Sequence, residues 1–315
     1  MIFKIAEPPS GGKGLLGIYP DWEGSGIEEA SILRTARERY CALLFTRNYF
    51  FQFFQRIAPQ LEQYGSLVDI VCGWDVEKIC MFYAAYNPQI EVFPISAMHF
   101  NTFDLLQDVR NQAQSQPQKT SDVFFALSDR PDRLKNKALL VDLLSGNRCP
   151  LIVTGYGRLD DADLARITAN PSIQLNWREK AQVTDQEQRL TFLQNLARSR
   201  CLLVTSTMEG YARLIGEALY LGVPILLNAG ICCENWVHLN KDNCLLFTAD
   251  TFDACLARML SREWHFTAPV FPDGNTLLQE YFTSYLARQN LPAPTIWYPL
   301  GFGARNDYVV TEESL

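Results

Sequence analysis

Two carboxylates eight positions apart, Glu209 and Glu217, sit in the stretch "TSTMEGYARLIGEALYLGVPILLN" at residues 205–228. An apolar run, "CLLV", precedes them, and a helix-like pattern starts near Tyr211. Ser206 and Thr207 are residues of the cap type at a helix entrance. Unpaired backbone amides at such an entrance attract an anion such as phosphate. Gly210 removes a side chain where a ligand would approach. Were both acids on one helix, they would stand about 80° apart around its axis and about 12 Å apart along it. That separation suits two parts of one extended ligand and is too wide for the paired carboxylates of a glycosidase. Spacing alone leaves a second reading open, with Glu209 favouring the helix N-terminus by charge and Glu217 exposed.

A second constellation is "SDRPDRLKNKALLVDLL", after the apolar run "VFFAL". Arg130 and Lys135 straddle a loop leading into a helix that begins near Asn136. A planar guanidinium fork and a mobile ammonium can together neutralise a diphosphate. A solvated basic helix start is the alternative. "LIVTGYGRLDDADL" runs from a strand into Gly155-Tyr156-Gly157. A turn alone explains that pattern. Asp161 and Asp163 form a DxD, the pattern of a divalent-metal site, but acids are favoured in a first helical turn anyway. Gly11 and Gly12, in "EPPSGGKG", can present backbone amides to a ligand or form an ordinary loop. Of three histidines, His99 follows an apolar strand at the end of the first block and can bond a polar ligand.

The elements that must position these residues form two α/β blocks. In the first, strands are expected at "IFKI", "CALLF", "VDIVC" and "EVFPI", with helices near 28–38, 49–63, 75–86 and 102–109. In the second, "VFFAL", "LIVT", "IQLN", "CLLVT", "PILLN" and "CLLF" read as buried strands, with helices near 135–145, 161–168, 187–199 and 212–221. Continuous apolar strands alternating with helices predict doubly wound parallel sheets, which bind ligands at the carboxyl ends of their strands. The Gln-rich segment 110–122 reads as a linker. The expected division is a short N-terminal domain over 1–115, a second domain over 116–275, and a C-terminal helix and tail over 276–315. For that tail, a return onto the N-terminal domain is one course. A cleft between the domains is the expected ligand site.

The chain has 315 residues, 48% hydrophobic and 20% charged, with a net charge of -7. This globular composition without a basic run argues against general nucleic-acid binding. Nine cysteines without a CxxC pair argue against zinc or redox motifs and fit reduced thiols in a cytoplasmic protein. No apolar run reaches the length of a membrane span. No GxGxxG follows a strand, which leaves a nicotinamide-dependent dehydrogenase without support.

Taken in order from Val123 to Leu260, these stretches resemble the nucleotide-sugar domain of glycosyltransferase family 4. The Arg130/Lys135 pair, the Gly-x-Gly turn, "NPSIQLNWR", and the Glu-x7-Glu stretch each match in sequence order. The resemblance implies a GT-B fold: two Rossmann-like doubly wound domains facing across a cleft, the N-terminal one reduced. It implies a retaining hexosyl transfer from a nucleotide-diphosphate sugar, UDP-linked by default, to a sugar, lipid or other small acceptor, with no metal or other cofactor required. Glu209 would face the donor hexose, Glu217 the ribose, and Arg130 and Lys135 the diphosphate. Gly210, Tyr211, Ala212 and Arg213 would lie along the sugar and phosphate, with Thr207 and Gly155 in the same donor-binding set. Gly11, Gly12 and His99 would fall on the acceptor side. The chain departs from the family at Tyr211-Ala212-Arg213, where Phe-Gly-Leu is usual, and in its short first block. That shortening keeps open a non-catalytic sugar-nucleotide-binding protein or a subunit of an assembly.

Overall fold

The computed structural model describes the chain apart from residues 21–23, 46–49, 74–75, 96–102, 116–117, 128–131, 180–185, 210–211, 232–237, 262–264, 268, 270–272, 299, 301–308 and 312–315. Side chains at 50–56, 103–104, 132–133 and 186 are also outside the description. The chain forms two compact units, Met1–Phe103 with Phe271–Leu315, and Asp104–Val270.

The first unit holds a five-stranded sheet in chain order: β1 (Ile2–Ala6), β2 (Gly14–Ile18), β3 (Tyr40–Phe45), β4 (Ile70–Cys72) and β5 (Glu91–Phe93). Strands β2 to β5 are parallel, but β1 runs antiparallel to β2. This corrects the expectation of parallel strands throughout, and β2 itself was not expected. The reason is local. Gly12 N donates to Pro9 O at 3.0 Å, and Gly11 takes φ 70°, closing a tight turn. A parallel partner needs a crossover of about a dozen residues or more. The glycines of "GLLGI" hide the strand in the sequence. Gly17 leaves room for the Phe3 ring, and a Cβ there would lie 2.9 Å from Ile5 Cδ1.

Both faces of this sheet are covered. Helices α1 (Ile27–Ala36), α2 (Phe50–Tyr64) and α3 (Val76–Tyr83) bury Leu33, Leu61 and Tyr83 with Leu16, Leu44 and Val71. The opposite face receives α11 (Gly274–Arg288), whose Leu278, Phe282 and Tyr285 pack with Phe3, Leu43, Phe45 and Ile70. Single bridges then join Ala6 to Trp297 and Phe3 to Val309. The chain's last stretch therefore completes the core of its first domain.

The second unit carries six parallel strands: β6 (Ser121–Ala126), β7 (Leu151–Tyr156), β8 (Ile173–Arg178), β9 (Ser199–Val204), β10 (Ile225–Asn228) and β11 (Cys244–Phe247). Their spatial order is β11-β10-β9-β6-β7-β8. This is the doubly wound order in which the winding reverses between the first and fourth strands, here β6 and β9. Helices α6 (Lys137–Gly146), α7 (Asp161–Thr168) and α10 (Phe252–Leu260) cover one face around Val123, Val153 and Leu203. On the other, α8 (Gln186–Ala197) sets Phe192 edge-on to Phe124 and Tyr156. Helix α9 (Arg213–Tyr220) packs beside α8 and β10. It ends at Gly222, φ 76°, where Val223 N reaches back to Ala218 O at 2.8 Å.

The expected linker at 110–122 needs correction. Helix α4 (Phe103–Ser115) runs through its first half, and β6 begins at Ser121. Part of that stretch makes helix-to-helix contacts. Gln112 accepts from Gln194 at 3.0 Å, and Arg110 lies 5.3 Å from the Tyr220 ring.

Candidate functional site

At the reversal point of the second sheet, the loops leaving β6 and β9 are stitched together. Helix α5 (Asp132–Lys135) follows the β6 loop, and Asn136, φ 49°, turns the chain into α6. Thr205 Oγ1 donates to Lys135 O at 2.9 Å, and Thr207 N donates to Leu134 O at 3.0 Å. Asn228, at the end of β10, donates to Thr205 O at 3.1 Å and Ser206 O at 3.3 Å. These bonds hold three strand-end loops in one frame. Within it, Lys135 Nζ donates to Glu209 Oε1, and Ser206 Oγ donates to the same oxygen at 2.7 Å. Lys135 and Glu209 are 16% and 8% exposed, so the pair is largely shielded from water. They line a cavity of about 120 Å³ together with Ser206, Ala212, Arg213, Phe125 and Leu203.

Glu209 precedes helix α9 and does not lie on it, so helical spacing does not relate it to Glu217. Ser206 and Thr207 do not cap α9 either; the N-cap position is Ala212. Ser206 is engaged with Glu209 instead because the loop doubles back toward α5.

Glu217 is buried inside α9, not exposed. Its Oε1 accepts from Arg213 Nε at 2.7 Å and also from Arg189 Nη2. Arg213 stands one turn before Glu217 on the same helix, an i,i+4 pair. Arg189 comes from α8 and lies 5.1 Å from the Phe192 ring. Burial lowers the pKa of its guanidinium, Glu217 opposes that shift, and Arg213 adds to it. The Nε of Arg189 is buried without a hydrogen-bond partner. Sequence reasoning placed Arg213 along the donor, without its bond to Glu217, and missed Arg189. One signal was present: a carboxylate on the apolar face of a helix requires a cation from a neighbouring element.

The remaining expected residues divide. Gly155 lies inside strand β7, and not in a turn. Its missing side chain is filled by the Phe125 ring, and a Cβ would stand 2.8 Å from Trp177. Gly157 is the constrained glycine, with φ 117° and Leu127 O against its Cα. Gly11 and Gly12 lie in the β1–β2 turn, at the amino ends of the parallel strands, with Gly12 against Pro292. Asp163 pairs with Lys137 at 2.7 Å, and Asp160 accepts from Lys137 at 3.0 Å and from Asp163 N at 2.9 Å, so two carboxylates of this turn share one ammonium. Arg130, Gly210, Tyr211 and His99 lie outside the described residues.

No family model matches the sequence, and no curated protein matches it. Solved structures do match. Trehalose-6-phosphate synthase OtsA is 15% identical, with 83% of this chain covering 70% of that one at a TM-score of 0.53. The apo form of the lipopolysaccharide outer core galactosyltransferase WaaB is 15% identical, at 87% and 98% coverage and a TM-score of 0.48. Anabaena Alr3699/HepE, solved with UDP-glucose, is 13% identical, at 80% and 72% coverage and a TM-score of 0.46. The OtsA likeness, with the two sheets described above, gives the chain a GT-B-like fold. No helix among the described residues is long and apolar enough to cross a membrane.

Proposed function

We propose that the chain is a glycosyltransferase that binds a nucleotide-diphosphate sugar at the carboxyl ends of β6 and β9. One observation carries this reading: Lys135 and Glu209, from loops on either side of the winding reversal, converge on one cavity. Open α/β sheets bind their ligands at that position. An ammonium and a carboxylate there match a donor that offers phosphate oxygens and sugar hydroxyls. In this reading Lys135, with Arg130, takes the diphosphate, Glu209 the hexose and Glu217 the ribose. The bond from the sugar's anomeric carbon to the diphosphate breaks, and a bond to an acceptor hydroxyl forms on the same face. The acceptor's proton passes to the departing phosphate oxygen, and the nucleoside diphosphate leaves. Positive charge placed where the leaving group gathers negative charge lowers the barrier without a metal. UDP is the default nucleotide, and the acceptor is a sugar, lipid or other small hydroxyl compound.

A non-catalytic sugar-nucleotide-binding protein is the second reading. The short first block favours it. The test is a thermal-shift panel of UDP, GDP, ADP and their sugars, followed by assay of diphosphate release. One nucleotide class should raise the melting temperature, by about 2.7 kcal/mol of stabilisation at 100 times Kd. Binding with release supports the enzyme, and binding without release the second reading. No shift with any nucleotide refutes both.

A further inference from the structure

Glu217 is 4% exposed within α9, and two guanidiniums reach it from different elements. Among the described residues, every hydrogen bond to its carboxylate falls on Oε1, from Arg213 Nε at 2.7 Å and from Arg189 Nη2. A carboxylate accepts at both oxygens, so Oε2 keeps its capacity for another donor. The two arginines constrain Oε1 in different ways. Arg213 stands one turn away on the same helix and fixes the side chain relative to that helix. Arg189 stands on α8, 12% exposed, 5.1 Å from the Phe192 ring. That ring packs edge-on to Phe124 of β6 and Tyr156 of β7. Arg189 therefore ties Glu217 to the central strands of the sheet. Its Nε is buried without a hydrogen-bond partner. An N–H left so weakens a fold, and stability alone accounts poorly for an arginine at this place.

We infer that Arg189 is a positioning residue: by holding Glu217 Oε1 it leaves Oε2 aimed at a ribose hydroxyl of the donor, and so makes the site select ribonucleotides over deoxyribonucleotides. The inference rests on the donor site described above, in which Glu217 takes the ribose. Neither arginine has to move. A ribose hydroxyl donates to Oε2 while both guanidiniums stay on Oε1. A deoxyribose offers no proton there and leaves a carboxylate oxygen unpaired. A site built to bond a hydroxyl rejects the analogue lacking it for this reason. Without Arg189 the carboxylate is held from α9 alone. Its second oxygen then loses its fixed direction, and the penalty on the deoxy ligand shrinks.

The experiment uses the intact chain and titration calorimetry with UDP, GDP and ADP, each beside its 2′-deoxy and 3′-deoxy forms. Wild type should bind the ribo form of one nucleotide about tenfold or more tighter than one of its deoxy forms, the scale of a hydrogen bond to a charged group. In Arg189→Leu that ratio should fall to about threefold or less, through weaker ribo binding, with the deoxy form little changed. Arg189→Lys keeps a cation for Oε1 and should keep part of the ratio. It carries the test if Arg189→Leu does not fold, and a ratio equal to that of wild type would then overturn the inference. In a Glu217→Gln background, Arg189→Leu should leave the ratio unchanged, because the pair it acts through is already gone. A merely structural arginine would weaken both forms together with the ratio kept. That result overturns the inference, as does an equal fall of the ratio in the Glu217→Gln background. A wild type that binds a diphosphate without discriminating its deoxy forms leaves the donor site standing and sinks this inference alone. A wild type that binds no diphosphate sinks both.

Discussion

Lys135 and Glu217 bear different loads and should fail differently. Lys135 faces the cavity with Glu209. Under the proposed function, Lys135→Ala should cut turnover by roughly 10²–10³, the cost of removing one donor to transition-state charge. Steady-state diphosphate release by a variant shown to be folded measures this. Glu217 instead holds two guanidiniums in a mostly buried place. Removing one partner of a buried ion pair costs about 3–5 kcal/mol, because the other charge is stranded. Glu217→Ala should therefore lower the urea midpoint strongly, while Glu217→Gln, which keeps an acceptor for one arginine, should lower it less. A Glu217→Ala protein as stable as wild type would show that the pair is not formed in solution.

At the scale of elements, the glycines on either side of β7 give a controlled comparison. Gly157 combines φ 117° with a backbone carbonyl where its Cβ would go. Gly157→Ala should cost about 1–3 kcal/mol of strain and disturb the neighbouring β6 loop. Gly146 ends α6 with open space around it and ordinary dihedrals. Gly146→Ala should be neutral or stabilise by up to about 1 kcal/mol. Chemical denaturation of both variants checks the contrast. The same elements show what a sequence can carry. The six strands of the second unit were legible because parallel strands buried on both faces read as continuous apolar runs. Gly222 and the buried face of α9 were legible for similar local reasons. Strand β2 was not, because Gly14 and Gly17 are there to let Tyr40 and Phe3 pack, a reason that lies on other strands. Arg189 was not, because its partner sits 28 residues away on another helix. The Lys135–Glu209 pair was half legible: the two residue types stood out, but their contact depends on the order of the strands.

At the scale of the whole molecule, the first unit is discontinuous and the second is a single segment. A chain ending at residue 270 should lose the first unit's protection from amide exchange and keep the second's. Loss of protection in both would contradict this division. Ionisable links tie the discontinuous parts, Glu91 with Arg288 being one and Glu7 another. Glu7 accepts from Tyr298 and Tyr40, each at 2.8 Å, and from Lys4 at 3.1 Å. Burial pushes its carboxyl upward, but the hydrogen bonds from Tyr298, Tyr40 and Lys4 outweigh it and leave the pKa below the ordinary 4.5. A depressed folded value means stability that is present above the unfolded value and is lost as pH falls through the folded one. The stability gap between wild type and Glu7→Gln should accordingly close as pH drops below 4.5. A gap constant across that range would contradict the link. The placement of α11 has one more consequence, for birth on the ribosome. Domains generally fold as units, the N-terminal one first during synthesis. Here the first hundred residues emerge without the helix that must cover one face of their sheet. The middle segment can settle while they wait. The sheet face around Phe3, Leu43 and Phe45 stays open until residues 274–288 are made. That interval, about ten to forty seconds at 5–20 residues per second, is when a holding chaperone would find this chain.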